Sequence, residues 1–242
     1  LIISSWQDAR IGTIANLIIF LAALIGFASW NFHKQFEYDL KQLLDIENKR
    51  HKEILTEQDL LPLPDLIQKY LRQAGVVGKP KVHYFKVGFT GTIRKDQQSE
   101  WMPFTSVQYN FIENPARLFF MNASMKNLPV AGYHAYKNGK AFMDIRLLSF
   151  LKVQYQDGPE MDLAETVTFF NDMCCMAPAT LIDRRIQWAP IDNHLVQASF
   201  TNQGLRVIAM LQFNDQGQLI NFLSTDRYNA DAGKRLPWST PL

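Results

Sequence analysis

The chain has 242 residues, a length that fits one large domain or a smaller domain with an appendage. Hydrophobic residues make up 47% and charged residues 20%, which is enough apolar material for a packed core and excludes global disorder. The net charge of +2 does not favour a nucleic-acid partner, and two adjacent cysteines with five scattered histidines predict no disulfide framework, metal or cofactor.

The first predicted element is an apolar helix. Residues 11–30 contain no charged side chain, and a helix of this length spans about 30 Å, the thickness of the hydrocarbon core of a bilayer. Trp6 and Trp30 lie near its two ends, where amphipathic aromatic rings are common. The absence of a small-residue cleavage site after residue 30 argues against a signal peptide. We therefore predict an integral membrane protein.

The remaining sequence suggests three parts. Residues 1–31 comprise a loop and the membrane segment, residues 32–55 a helical stalk, and residues 56–242 a folded domain. The stalk is charged but carries apolar residues at helical spacing, so we expect a solvated helix next to the bilayer. Leu1 opens an apolar run, and the final residues close no predicted element, so we expect further membrane helices before the chain and further strands after it.

The folded part begins with helical signals and continues as strands. Thr56 and Asp59 have the spacing of a capping box, and Gly75 is a natural helix C-cap. From residue 79 the apolar period becomes two, and short turns such as Asn138-Gly139 favour antiparallel neighbours. A helix over residues 162–176 interrupts the strands. We predict an α+β fold in which one transmembrane helix precedes a curved, half-barrel-like antiparallel sheet of about nine strands, packed on this central helix.

Several motifs resemble an uncharacterised family of bacterial membrane-anchored proteins, a domain of unknown function. They are LPLP at 61–64 with YLRQAGVVGKP at 70–80, WMPF at 101–104 with QY at 108–109, and FNDMC at 170–174 with APATL at 177–181. The N-terminal segment resembles the branch of that family with several preceding transmembrane helices. The resemblance implies a membrane protein with a β-rich domain, and it implies no reaction.

Aromatic residues predict a ligand-binding face. The strands near residues 101–112 and 117–125 are aromatic on both faces, and a sheet that is apolar on both sides needs cover on both sides. A bound apolar ligand or lipid would supply it; further C-terminal strands or the stalk helix folding back are the alternatives. The candidate ligand-binding residues are Trp101, Phe104, Tyr109, Phe120, Asn171 and Asp172.

Carboxylates of the predicted central helix suggest a different function. Glu165 and Asp172 lie seven residues apart and share one helix face, an arrangement that serves acid–base catalysis. In the simpler interpretation, Asp162 and Glu165 cap the helix, and Asp172 is a buried carboxylate bonded to backbone or to an arginine. We predict a membrane-anchored protein that binds an apolar ligand or lipid, with a hydrolase-like enzyme centred on Asp172 and a structural envelope protein as alternatives.

The membrane orientation has arguments on both sides. Lysine and arginine are more numerous after the apolar segment than before it, which favours a cytoplasmic position for the folded part. Large domains, however, are translocated largely regardless of charge. Because of the family resemblance and the expected lipid binding, we predict that the folded part lies outside the cytoplasm.

Overall fold

The computed structural model describes residues 6–51, 53–94, 96–229 and 232–242. Its first helix, α1 (Trp6–Glu47), has 42 residues and is long and apolar enough to cross a membrane. The mean hydropathy of its most apolar stretch is 2.0, and none of that stretch is buried inside the molecule. The expected end of an earlier membrane segment, at residues 1–3, and the side chain of Trp6 lie outside what the structure describes.

The other elements follow in chain order. The helices are α2 (Glu57–Leu60), α3 (Asp65–Gln73) and α4 (Pro159–Met176), with a 3₁₀ turn at Pro178–Ile182. The first strands are β1 (Tyr84–Ile93), β2 (Met102–Phe111), β3 (Ala116–Met125), β4 (Leu128–Lys137), β5 (Lys140–Leu147) and β6 (Leu151–Asp157). The later strands are β7 (Ile186–Pro190), β8 (Leu195–Asn202), β9 (Leu205–Phe213), β10 (Leu219–Ser224), β11 (Tyr228–Asn229), β12 (Lys234–Arg235) and β13 (Trp238–Pro241).

The strands form two main antiparallel sheets. Strands β1 to β6 pair in sequence order, and the second sheet has the order β13-β10-β9-β8-β7. The predicted α+β class is confirmed, but the strands divide between two sheets instead of forming one. The edge strands β6 and β13 lie outside the nine predicted strands. In β6, Leu151, Val153 and Tyr155 alternate with polar residues, so a strand signal was present there, whereas β13 has only four residues.

Helix α4 packs between the two sheets. The Phe170 ring stacks on Phe200 of the second sheet with 5.4 Å between centroids, and Phe169 contacts Tyr136 of the first sheet at 6.0 Å. The helix begins one turn earlier than residue 162, because Gly158 adopts φ +97° and Pro159 occupies the first helical turn.

The expected capping by Asp162 and Glu165 is wrong. With the helix beginning at Pro159, both carboxylates lie beyond the cap and point to the first sheet. Asp162 accepts hydrogen bonds from the backbone N–H of Ala141 (2.7 Å) and from Lys140 Nζ (2.8 Å), both on β5. Asp162 therefore fixes α4 to the first sheet instead of capping the helix.

Helices α2 and α3 pack at the C-terminal end of α4. The capping box at Thr56 and Asp59 is confirmed, with the Thr56 N–H donating to Asp59 Oδ2 at 2.7 Å. Ile67 and Leu71 of α3 are fully buried, and the Tyr70 hydroxyl donates to the carbonyl oxygen of Cys174 at 2.9 Å. These contacts hold the end of α4 against α3.

The second half of α1 lies on one face of the first sheet, which we call the α1 face. Phe32 and Phe36 are buried there, and the Phe36 ring lies 5.6 Å from Phe120 and 5.8 Å from Tyr133. Asp39 accepts a hydrogen bond from the Tyr133 hydroxyl at 2.6 Å. One side of the stalk helix is therefore packed on the sheet and not solvated, and it covers that face.

Candidate functional site

The opposite face of the first sheet, which we call the α4 face, changes from apolar to polar along the strands. Residues paired across neighbouring strands lie side by side on the same face, so the register defines four rows. From the end where β3 joins β4, the rows are Phe104/Ala123/Val130/Leu147, Ser106/Met121/Gly132/Ile145, Gln108/Phe119/His134/Met143 and Asn110/Arg117/Tyr136/Ala141. The first two rows are almost wholly apolar, and the last two carry the charged and amide side chains.

The apolar rows form a cluster that we call the apolar patch. Its members are Phe104, Phe119, Met121, Ala123, Val130, Ile145 and Leu147. All seven belong to strands β2 to β5, and within the described ranges no apolar residue of α4 or of the second sheet joins them. The α4 face is thus covered by the helix only at its polar end.

The sheet end next to this patch exposes large apolar side chains. This apolar rim consists of Ile93, Trp101, Met125, Leu128, Phe150, Leu151 and Val153. Its most exposed members are Trp101, at 57%, and Val153, at 55%. The opposite end of the sheet carries polar turns such as Asn138-Gly139, so the two ends differ sharply in polarity.

The apolar rim lies beside the apolar half of α1. Leu148 and Phe150, in the turn between β5 and β6, line an apolar groove of about 470 Å³ together with Leu21 and Leu24 of that helix. In the same turn, Ser149 Oγ accepts a hydrogen bond from Ser29 Oγ at 3.0 Å. These contacts place the rim against the segment of α1 that is apolar enough to span a membrane.

At the polar end of the α4 face, five buried side chains form a network: Gln108, Asn110, Arg117, Glu165 and Asp172. Arg117 Nε donates to Asp172 Oδ2 (2.9 Å), its Nη1 donates to Glu165 Oε2 (3.1 Å), and its Nη2 donates to Gln108 Oε1 (2.8 Å). Asp172 Oδ2 also accepts hydrogen bonds from Gln108 Nε2 (2.7 Å) and Asn110 Nδ2 (3.0 Å). The network joins β2 and β3 to α4.

The electrostatics of the network follow from burial and pairing. Burial raises the pKa of Asp172 although Arg117 opposes the change, whereas for Glu165 the opposing effect of burial is outweighed by the combined attraction of Arg117, His134 and Arg227, and the pKa is lowered. Burial also raises the pKa of the Cys175 thiol to about 12, which keeps it protonated and a poor nucleophile. Among the described residues, no three His, Cys, Asp or Glu side chains converge to hold a metal ion.

Next to the network lies a cavity of about 280 Å³, which we call the polar cavity. Its polar lining includes His134, Gln154, Gln156, Glu165, Arg227 and Asn229, and its apolar lining includes Met143, Met161 and Trp238. The Arg227 guanidinium stacks 3.6 Å from the centroid of the Trp238 ring. Burial lowers the pKa of His134 to about 4, so this side chain is neutral at pH 7.

A family model matches residues 53–242, which include both sheets, α4, the apolar patch, the apolar rim, the charged network and the polar cavity. The chain belongs to DUF6544, a family of unknown function. The expectation that the chain belongs to a domain-of-unknown-function family is thereby confirmed. No protein with a curated description matches the chain.

The predicted ligand-binding residues of this DUF6544 protein do not form one cluster. Phe104 belongs to the apolar patch, Asn171 and Asp172 are buried on α4, and Trp101 lies on the rim with Arg94 4.4 Å above its ring. Tyr109 and Phe120 are on the α1 face and pack against that helix. The structure therefore brings Phe104 and Asp172 to the same side of the sheet and separates Tyr109 and Phe120 from them.

Several residues of the DUF6544 site had not been singled out from the sequence. Arg117 was detectable, because it continues the alternation of Phe119 and Met121 in β3 and a charge at such a position predicts a buried partner. Gln108 was detectable in the same way. Arg227 had no local signal, since its position in the polar cavity depends on how the C-terminal strands fold back.

Proposed function

We propose that this protein is a membrane-anchored lipid-binding module that holds an acyl chain on its apolar patch. The observation that carries the proposal is the patch itself, since seven apolar side chains gather on a sheet face without an apolar partner from another element. Met121, Ala123 and Val130 are buried and the other four side chains are half-buried, so an acyl chain would complete the cover of a face that no apolar element of the described chain covers. Covering roughly 300 Å² of apolar surface would contribute about 7 kcal/mol before the costs of association, so micromolar binding is the upper limit.

The position of the patch supports a membrane source for the ligand. The apolar segment of α1 would cross the bilayer, and Phe150 of the rim lines one apolar groove together with Leu21 and Leu24 of that segment. The patch begins directly behind the rim, in the row that contains Phe104 and Val130. A lipid chain would therefore reach the patch from the bilayer along an apolar path, without crossing water.

The membrane orientation is part of the proposal. We place the folded part outside the cytoplasm, although the lysine and arginine residues after the apolar segment favour the opposite side. Reporter fusions after Leu242 would decide between the two, since a reporter active only after export is expected to be active. Activity of a cytoplasmic reporter alone would contradict this orientation and leave the lipid site in place.

Photolabelling of the full chain tests the lipid site. We expect that the protein, reconstituted in phosphatidylcholine nanodiscs with a trace of phosphatidylcholine carrying a diazirine in mid-chain, is labelled at Met121 and Val130 as well as in α1. Phe104→Asp places a charge in the patch and should reduce that labelling at least about tenfold, because burying a charge against an acyl chain is costly. Labelling of α1 is the internal standard.

The matched control is Thr105→Asp. Thr105 is the next residue of β2, lies on the other face of the sheet and is exposed, so the same charge there should leave patch labelling unchanged. Labelling confined to α1 and the rim in the unmodified protein would contradict the proposal and favour a structural envelope protein. Equal labelling of the Phe104→Asp variant and the unmodified protein would also contradict it.

A further inference from the structure

We propose that the polar cavity binds the ester carbonyl oxygen of the lipid whose acyl chain lies on the apolar patch, with Arg227 and Trp238 as the hydrogen-bond donors. This inference rests on the proposed function and specifies the chemical class of its ligand. The ligand is an intact ester lipid in this view, and the contact that selects it is a neutral oxygen rather than a charged headgroup.

The first argument is the pair of donors without acceptors. Arg227 Nη1 and Trp238 Nε1 are both buried, and neither has a hydrogen-bond partner among the residues that the structure describes. The Arg227 guanidinium stacks on the Trp238 ring, and both side chains line the cavity. Guanidinium and indole groups only donate, and buried donors are nearly always paired. The missing partner is therefore an acceptor oxygen.

The second argument is the cost of burying a further charge. The side chains around the cavity that can carry charge are those of Arg117, Arg227, Glu165 and Asp172; burial raises the pKa of Asp172, and the attraction of Arg117 and the hydrogen bond from Asn110 oppose that rise. His134 faces the same groups and is neutral. An anionic ligand would bring another charge into this buried site, whereas a carbonyl oxygen accepts hydrogen bonds without adding any.

The third argument is continuity between the cavity and the patch. His134 lines the cavity and is paired with Phe119 of the patch, and Gln154 of the cavity is paired with Ile145 of the patch. From His134 to Val130 the strand extends about 13 Å, at about 3.3 Å per residue. A chain that begins at a carbonyl in the cavity would therefore cover the patch and reach the rim.

An ester-against-ether comparison tests the inference. The full chain is placed in two kinds of nanodisc, one of ester-linked and one of ether-linked phosphatidylcholine, each with the same trace of ester-linked diazirine phosphatidylcholine. Ether lipids lack the carbonyl acceptor and should compete poorly. We expect patch labelling to be about tenfold higher in the ether nanodiscs, the factor that corresponds to one hydrogen bond to a charged donor.

Two variants assign the effect to the cavity. In Arg227→Leu, the ratio of patch labelling in ether nanodiscs to that in ester nanodiscs should fall to near one. Trp238→Phe keeps the stacked ring but removes one donor, so the ratio should fall only in part. Arg235→Leu is the control, because Arg235 is an exposed arginine of the neighbouring β12 strand. The comparison in the unmodified protein remains decisive if a variant fails to fold.

The outcomes separate this inference from the proposed function. Equal patch labelling in both nanodiscs would overturn the carbonyl site and leave lipid binding intact. Stronger displacement of the probe by added oleic acid than by ester lipid would also overturn it, since the ligand would then be a carboxylate from free fatty acid. Absence of patch labelling in every nanodisc would overturn both proposals together.

Discussion

The two faces of the first sheet are buried in different ways although the same strands supply both. In β3, Leu118 and Phe120 point to the α1 face, and Arg117, Phe119 and Met121 point to the α4 face. The α1 face is closed by the aromatic side of a helix. The α4 face has a charged network under its helix and an apolar patch beyond the helix.

This difference indicates what each face does. Where aromatic side chains of a helix pack on a sheet face, as Phe32 and Phe36 do here, the contact contributes stability through packing. A face whose cover ends partway leaves apolar surface next to polar groups, which is the composition of ligand-binding sites. The charged network lies at the boundary between the part of the α4 face that helix α4 covers and the apolar patch, where it fixes α4 to β2 and β3.

Among the substitutions on the two faces, we expect the largest loss of stability at Asp172. Asp172→Ala removes the acceptor of three donors and leaves Arg117 with one carboxylate partner in a buried site, so we expect a loss of about 3–5 kcal/mol in the free energy of unfolding. Asp172→Asn keeps the shape and part of the hydrogen bonding and should lose less. Thermal melting followed by circular dichroism should rank unmodified protein, Asn variant and Ala variant in falling order.

An Ala variant as stable as the unmodified protein would contradict the structural role of Asp172. It would then favour the hydrolase alternative, since active-site residues often reduce stability rather than add to it. The ranking therefore separates a structural carboxylate from a catalytic one.

The next effect is expected on the α1 face. Phe36→Ala should cost about 3 kcal/mol, because Phe36 is 3% exposed and contacts the rings of Phe120 and Tyr133. Tyr38→Ala, two residues along the same helix, is the control, since Tyr38 is 64% exposed and its loss should change little. Patch labelling by the diazirine lipid should be unchanged in both variants. Loss of that labelling in Phe36→Ala would show that the two faces are not independent.

Local signals predicted much of the fold. The capping box at Thr56, the turn at Asn138-Gly139 and the period-two strands depend on a few neighbouring residues, and each is present in the structure. Membership in a family of unknown function was also expected from the sequence. By contrast, the division into two sheets depends on pairing between distant strands, such as β13 with β10, which no local pattern encodes.

The candidate site was less predictable for a related reason. Alternation indicates that Phe104 and Tyr109 point to opposite faces, but it does not say which face a helix will cover. The packing of α1 on Tyr109 and Phe120 is a tertiary contact between segments more than 60 residues apart. Arg227 is placed beside Glu165 only when the C-terminal strands return to α4. Such contacts exist only in the assembled molecule.

The smallest change in stability is expected when the pH is lowered, through His134 on the α4 face. The pKa of His134 falls from 6.5 in the unfolded chain to about 4 in the folded protein, because burial disfavours the charged ring. Below pH 6.5 the unfolded state therefore binds a proton that the folded state does not, and stability decreases as the pH falls. Between pH 7 and pH 5 this loss of stability amounts to about 2 kcal/mol.

The variant His134→Gln, whose side chain is neutral throughout, should lose about 2 kcal/mol less stability over that range, measured by chemical unfolding at each pH. Glu165, Arg117 and Arg227 face His134 in both proteins, so their titration cancels in the difference. Parallel stability curves for the two proteins would mean that His134 is solvated and that the polar cavity is open to water, which would remove the reason for expecting a neutral ligand oxygen there.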